Sequence, residues 1–306
     1  MTSKVISRLH QRFLSQEMKE KSEKTILGIA ILSYIIHLFL IVLTNYELIN
    51  IESKFLSNPI AAIYTPFSFI LLYEVFLLIF YLPQSISAYI AKQYEIITLI
   101  VIRRIFKDIA NLELTSKWFQ SKYDLQFTYD AVTSLVLFTL IYFFYSNIER
   151  RSKPEEGKSN QKDTKTFINL KKAIAIVLLP VLAILAIYSF GTWAAAIFSS
   201  YNNGIIAFKS INKIFFDEFF TILIITDVLL LLASFFYSDQ FHKIIRNSGF
   251  VISTILIKIS FSTEGIINNA LIIGAVLFGF LMLIIHNKFE RNSFTKFEQP
   301  NPYFRS

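Results

Sequence analysis

Apolar residues in this chain come in runs of about 20, separated by short polar patches. A helix needs about that length to cross a hydrocarbon layer roughly 30 Å thick. Eight runs predict eight spans, at 25–44, 59–83, 89–110, 127–146, 173–190, 219–237, 241–261 and 265–286. Pro59 and Pro83 bracket the second span, because proline is accepted at helix ends and disfavoured inside. The fifth span can continue to Phe198, and Pro180 inside it predicts a kink. The pattern therefore implies an all-α membrane protein. A soluble bundle would need too many helices that are apolar all round.

The third span breaks the pattern. It is apolar enough to enter a membrane but carries Glu95, Arg103, Arg104, Lys107 and Asp108. At about 100° per residue, Lys92, Glu95, Arg103 and Lys107 fall within one arc of roughly 120°. Arg104 and Asp108 lie on the adjoining flank, four apart and opposite in charge, as a helical ion pair would be. Charge in hydrocarbon is costly, so this stripe should face a bundle interior or a wet cavity. Two other spans carry acids, Glu74 in the second and Asp227 in the sixth, and the seventh carries Lys258, so acid and base occur in both halves: Glu74 with Arg103 or Arg104, and Asp227 with Lys258. By depth, Glu74 fits better near Lys92 or Glu95 than beside Arg103.

The chain also reads as two similar halves. Tyr73-Glu74-Val75-Phe76-Leu77-Leu78 is echoed by Thr226-Asp227-Val228-Leu229-Leu230-Leu231. Each is followed by a short polar connection and a helix with a polar stripe. The second stripe holds Lys243, Asn247, Thr254, Lys258 and Ser262. Glu149-Arg150-Arg151-Ser152 closes one half and Glu290-Arg291-Asn292-Ser293 the other. The expected organisation has five parts. A basic amphipathic N-terminal segment spans 1–24, a first four-helix unit 25–146 and a charged linker 147–172. A second four-helix unit spans 173–286, followed by a tail at 287–306. Two tandem units of four helices have the same orientation, unlike an inverted-repeat transporter.

Charge sets the expected orientation. With both termini and the linker cytoplasmic, 21 Lys and Arg lie on that side and 5 on the other, the direction the positive-inside rule requires. The net charge of +8 is thus accounted for by membrane borders rather than nucleic acid. In the N-terminal segment Val5, Ile6, Leu9, Phe13 and Leu14 recur at helical spacing between Arg8, Arg12, Lys19 and Lys21. That reads as a helix lying on anionic lipid of the cytoplasmic leaflet. Heavy use of Ile, Phe, Lys and Asn points to an AT-rich bacterial genome, and so to a bacterial inner membrane.

Candidate chemistry is narrow. With no cysteine, thiolate metal sites and cysteine nucleophiles are excluded. No H-E-x-x-H, glycine-rich phosphate loop or G-x-S-x-G occurs, so neither an enzyme nor a cofactor is expected. Arg103, Arg104 and Lys107 do not form the every-third-residue ladder of a voltage sensor. The candidate site is therefore Glu74, Glu95, Arg103, Arg104, Lys107, Asp227 and Lys258, with two readings. In one they form a pathway for ions or small charged solutes in a channel, pore or secondary transporter, which implies further assembly as a homo-oligomer. In the other they are buried pairs that fix packing, and the protein anchors a soluble cytoplasmic partner.

Overall fold

The computed structural model describes residues 2–46, 59–109, 112, 121–149, 161–202, 211–237 and 240–297. Among these, nine α-helices form: α1 (Thr2–Phe13), α2 (Gln16–Asn45), α3 (Tyr64–Tyr81, entered through a 3-10 turn at Pro59–Ile63), α4 (Ile86–Ile109), α5 (Lys122–Glu149), α6 (Gln161–Asn202), α7 (Ile211–Tyr237), α8 (Phe241–Ser260) and α9 (Gly265–Phe297). All eight predicted spans are helical. The expected linker at 147–172 is helical at both ends, since α5 runs to Glu149 and α6 starts at Gln161. Its middle, 150–160, and the tail beyond 297 lie outside the described residues.

Local chemistry sets the boundaries. Ser15 is extended and its hydroxyl accepts from the Met18 N–H at 3.2 Å, which caps α2 and separates it from α1. Pro66 sits in the first turn of α3, where its missing N–H costs little. Gly265 opens α9 with φ +66°, a conformation that glycine adopts without strain and that the tight α8–α9 turn requires.

Five helices (α2, α5, α6, α7 and α9) are long and apolar enough to cross a membrane. Their outward faces carry large bare side chains, among them Phe39, Phe138, Ile187, Phe236 and Ile266. This marks the chain as a membrane protein. The other three predicted spans do not meet that measure. The apolar part of α3 is short, and α4 and α8 are too polar. α4 and α8 bury polar side chains such as Gln93, Arg103, Asn247 and Thr254, and buried polar groups of α5, α7 and α9 meet these two helices.

Neighbours in sequence pack together: α2 on α3, α3 on α4 and α4 on α5, then α6 on α7, α7 on α8 and α8 on α9. The two sets meet where α5 packs on α9 and α3 on α6, while α1 lies against α6. Hydrogen bonds also join α4 to α7, α8 and α9. The centre is closed by aromatic rings, with Tyr94 edge-on to Phe144 at 5.3 Å and Phe144 beside Phe250 at 6.0 Å.

Leu14, just past the end of α1, is buried in the core, while α1 leaves Val5, Leu9 and Phe13 exposed. These three are spaced four apart, so they form one apolar ridge. Arg8 and Arg12 are exposed beside it.

Candidate functional site

The polar side chains of α4, α7 and α8 meet inside the bundle. Asp227 on α7 is 4 % exposed. Both its carboxylate oxygens accept from Gln93 Nε2 of α4, at 3.0 and 3.2 Å. Gln93 Oε1 in turn accepts from the Thr254 hydroxyl of α8 at 2.9 Å. One residue along, Tyr94 Oη and Ser253 Oγ are 2.8 Å apart. Ser253 donates its single proton to the Ala275 carbonyl of α9 at 2.6 Å, so Tyr94 is the donor to Ser253. Among the described residues, no lysine, arginine or histidine nitrogen lies within 4 Å of the Asp227 carboxylate.

A cavity of about 20 Å³ adjoins this acid, lined by Asp227, Tyr89, Asn247 and apolar side chains such as Leu230 and Phe250. That is space for about one water molecule. Tyr89 is 1 % exposed, and its Oη lies beside Asp227 and Gln93 without a well-aligned hydrogen bond to either.

Beyond Asn247 the network continues toward the α7–α8 connection. Asn247 Oδ1 accepts from Arg246 Nε and Nη2 at 3.2 and 2.9 Å. Arg246 Nη1 is 2.9 Å from His286 Nε2 on α9. An arginine nitrogen can only donate, so this His286 nitrogen is the acceptor and carries no proton. His286 stacks on His242 with centroids 5.0 Å apart, and Glu290 Oε2 is 3.8 Å from His286 Nε2. At the same end Lys171 of α6 donates to the Gln84 carbonyl in the α3–α4 connection at 2.5 Å.

A second polar knot lies at the opposite end of α4. Arg104 donates to Asn268 at 2.5 Å and to Asp130 and Asn269 at 3.0 Å each. Asp130 Oδ1 also accepts from Gln126 at 2.9 Å and from Asn269 at 2.7 Å.

Six of the seven sequence-predicted residues have described side chains. Glu95 accepts from Lys92 and from Tyr145. Glu74 feels Lys92 and Glu95 electrostatically, and its Oε2 is buried without a hydrogen-bond partner. Arg103 is 5 % exposed. The Lys107 side chain lies outside the described residues. Lys258 donates to Thr221 at 2.5 Å, so the expected acid–base couple with Asp227 does not form. Thr221 lies six positions before Asp227 on the same helix, which puts the Lys258 ammonium well over one helical turn from the acid. Arg104 is directed across to α5 and α9, not along its own helix to Asp108. Three neighbouring acceptors outcompete a same-helix pair, which is worth only a few tenths of a kcal/mol.

The seventh-span stripe fares better. Asn247, Thr254 and Lys258 all turn toward α4 or α7. What sequence reasoning missed was Gln93, Tyr94, Asp130, Arg246 and the meeting of His242 with His286, which are 44 positions apart in the chain. Neutral Gln93 and Tyr94 are one and two positions beyond Lys92 and on another face, so a search for charge passed over them. Among the described residues, no three His, Asp or Glu side chains gather as a metal site would require.

No protein-family model matches the chain, no curated protein matches it in sequence, and no solved structure matches its fold.

Proposed function

We propose that this is a membrane transport protein for ions or small charged solutes, with a transport rather than a catalytic role. The observation that carries this reading is Asp227: a carboxyl group buried in a membrane bundle with no cation within 4 Å among the described residues. A packing device would carry a counter-charge, because an unpaired buried charge is strongly unfavourable. An acid left without one is suited to binding what the protein moves. α4 is buried along most of its length, and α8 turns Asn247, Ser253 and Thr254 inward while Ile252, Ile255 and Ile259 face outward, so the polar side chains are kept from the outer surface as a protected pathway requires. Consecutive packing within 25–146 and within 173–286 supports two tandem four-helix units, and the bias of Lys and Arg supports cytoplasmic termini. The exposed Val5, Leu9 and Phe13 ridge beside Arg8 and Arg12 supports docking of α1 on anionic lipid of the cell membrane.

The test is ion flux into liposomes holding the purified protein, beside a Glu74→Ala/Asp227→Ala variant. The native protein should conduct, and the variant should lose at least about tenfold of the flux. Equal flux through both removes the ionic pathway.

The Arg104 knot favours a second reading for its own part of the molecule. Its charges are paired with one another and so resemble a packing device. If such devices were all the buried charges amount to, the protein would be a membrane anchor whose α1 and linker hold a soluble cytoplasmic protein. Absent flux together with partner recovery that depends on residues 1–20 would select that reading.

A further inference from the structure

We infer that Asp227 binds an exchangeable proton, which enters and leaves through the Tyr89–Asn247 cavity on the side facing Arg246 and His286. The inference rests on the transport reading and names its substrate as the proton.

The donors around Asp227 discriminate among cations. Gln93 presents its amide N–H groups to both carboxylate oxygens, and N–H groups repel a metal ion. Asn247 Oδ1 is already occupied by two Arg246 nitrogens. Only Tyr89 Oη and the carboxylate itself remain as cavity oxygens, too few for an alkali or alkaline-earth ion that takes about six. The cavity of about 20 Å³ admits one water, and a proton needs no more room than that.

The surrounding groups fit a proton site. From α4, Tyr89 and Tyr94 face the acid. From α8 come Thr254 and, past Asn247, Arg246; Lys171 of α6 stands near Arg246. No anion other than Asp227 faces the cavity among its lining residues. A protonated Asp227 leaves no net charge in this pocket. On release, the carboxyl O–H breaks as an O–H to the cavity water forms. The carboxylate left behind keeps both Gln93 contacts. Tyr89 Oη, buried at the cavity beside Asp227, can donate to that carboxylate or accept from the water. Beyond Asn247, Arg246 donates to the unprotonated His286 Nε2.

The experiment combines two readouts on the full-length protein in liposomes. The first is proton entry reported by an internal pH dye under an imposed potential, with Na⁺, K⁺ and Cl⁻ flux measured in parallel. Native vesicles should pass protons, Asp227→Asn should reduce this by at least about tenfold, and Tyr89→Phe severalfold. Passage of Na⁺, K⁺ or Cl⁻ without protons overturns the inference and leaves the transport reading standing. No flux of any ion removes the transport reading and this inference with it. The second readout is infrared absorption of the native protein at neutral pH. A carboxylic-acid C=O band that shifts in D2O and is missing from Asp227→Asn supports a bound proton. Its absence from the native protein overturns the inference whichever ions move.

Discussion

Arg104→Ala should lower stability by about 3–5 kcal/mol, the usual consequence of removing one partner from a buried ion pair. The reason is Asp130. It is fully buried, with 0 % side-chain exposure against 26 % for Arg104. Its Oδ1 is crowded with donors while its Oδ2 has no hydrogen-bond partner. Without the guanidinium, a carboxylate is stranded where water cannot reach it. The reverse change is not symmetric. Asp130→Asn keeps the shape and removes the buried charge, and Arg104 is exposed enough for its head to find water. That variant should lose less than half as much, and Arg104→Leu/Asp130→Asn should recover most of the deficit of Arg104→Ala. Denaturant unfolding in detergent micelles measures all three. Equal losses for Arg104→Ala and Asp130→Asn would rule out this account of the knot.

Gly279→Ala should cost about 1–3 kcal/mol or more, in the manner of other overpacked interiors. A methyl group there would sit 1.8 Å from Tyr94 Oη and 3.3 Å from Ser253 Oγ. Tyr94 cannot swing aside. It is fully buried, edge-on to Phe144 and bonded to Ser253. Gly274 on the same helix is the internal control, with nothing within 4 Å of its would-be Cβ. Gly274→Ala should be neutral or gain about 0.5–1 kcal/mol from helix propensity. Adding Tyr94→Phe to Gly279→Ala removes the clashing oxygen, so the double variant should be more stable than the two single losses add to. Strict additivity in thermal melts would show that α9 relaxes elsewhere and that the Tyr94 contact is not the constraint.

The helices were legible in the sequence because hydrocarbon thickness fixes their length and proline, glycine and polar connections mark their ends. Pro59, Pro83 and Gly265 all sit at boundaries, and each of the eight apolar runs is a helix. The polar face of α8 was legible for the same reason: Asn247, Thr254 and Lys258 share an arc of a regular helix. The partners were not legible. Angular reckoning on one helix says which side chains share a face, but not which neighbour that face meets. It grouped Arg103 with Lys92 although they are eleven positions apart along α4. It passed over Gln93, whose importance comes only from Asp227 and Thr254. The same limit explains the expected Asp227–Lys258 couple. Asp227 is buried and Lys258 half-buried, and their contacts depend on axial depth, which a helical wheel does not contain.

The distance in sequence between α4 and its partners has a consequence for synthesis. Gln93 waits for Asp227, 134 positions later, and Arg104 for Asn269, 165 positions later. At about 5–20 residues per second, a ribosome needs on the order of ten seconds to deliver them. Throughout that interval α4 carries its charges with no finished interior to receive them. A nascent chain arrested before residue 227 should therefore hold α4 at the bilayer surface or against an insertion chaperone, where a water-soluble probe at position 93 reacts. Release past residue 269 should abolish that reactivity, and protection of the arrested chain would mean that α4 enters unaided. Biogenesis of this fold is thus ordered from the outside inward, with its most central helix among the last to settle.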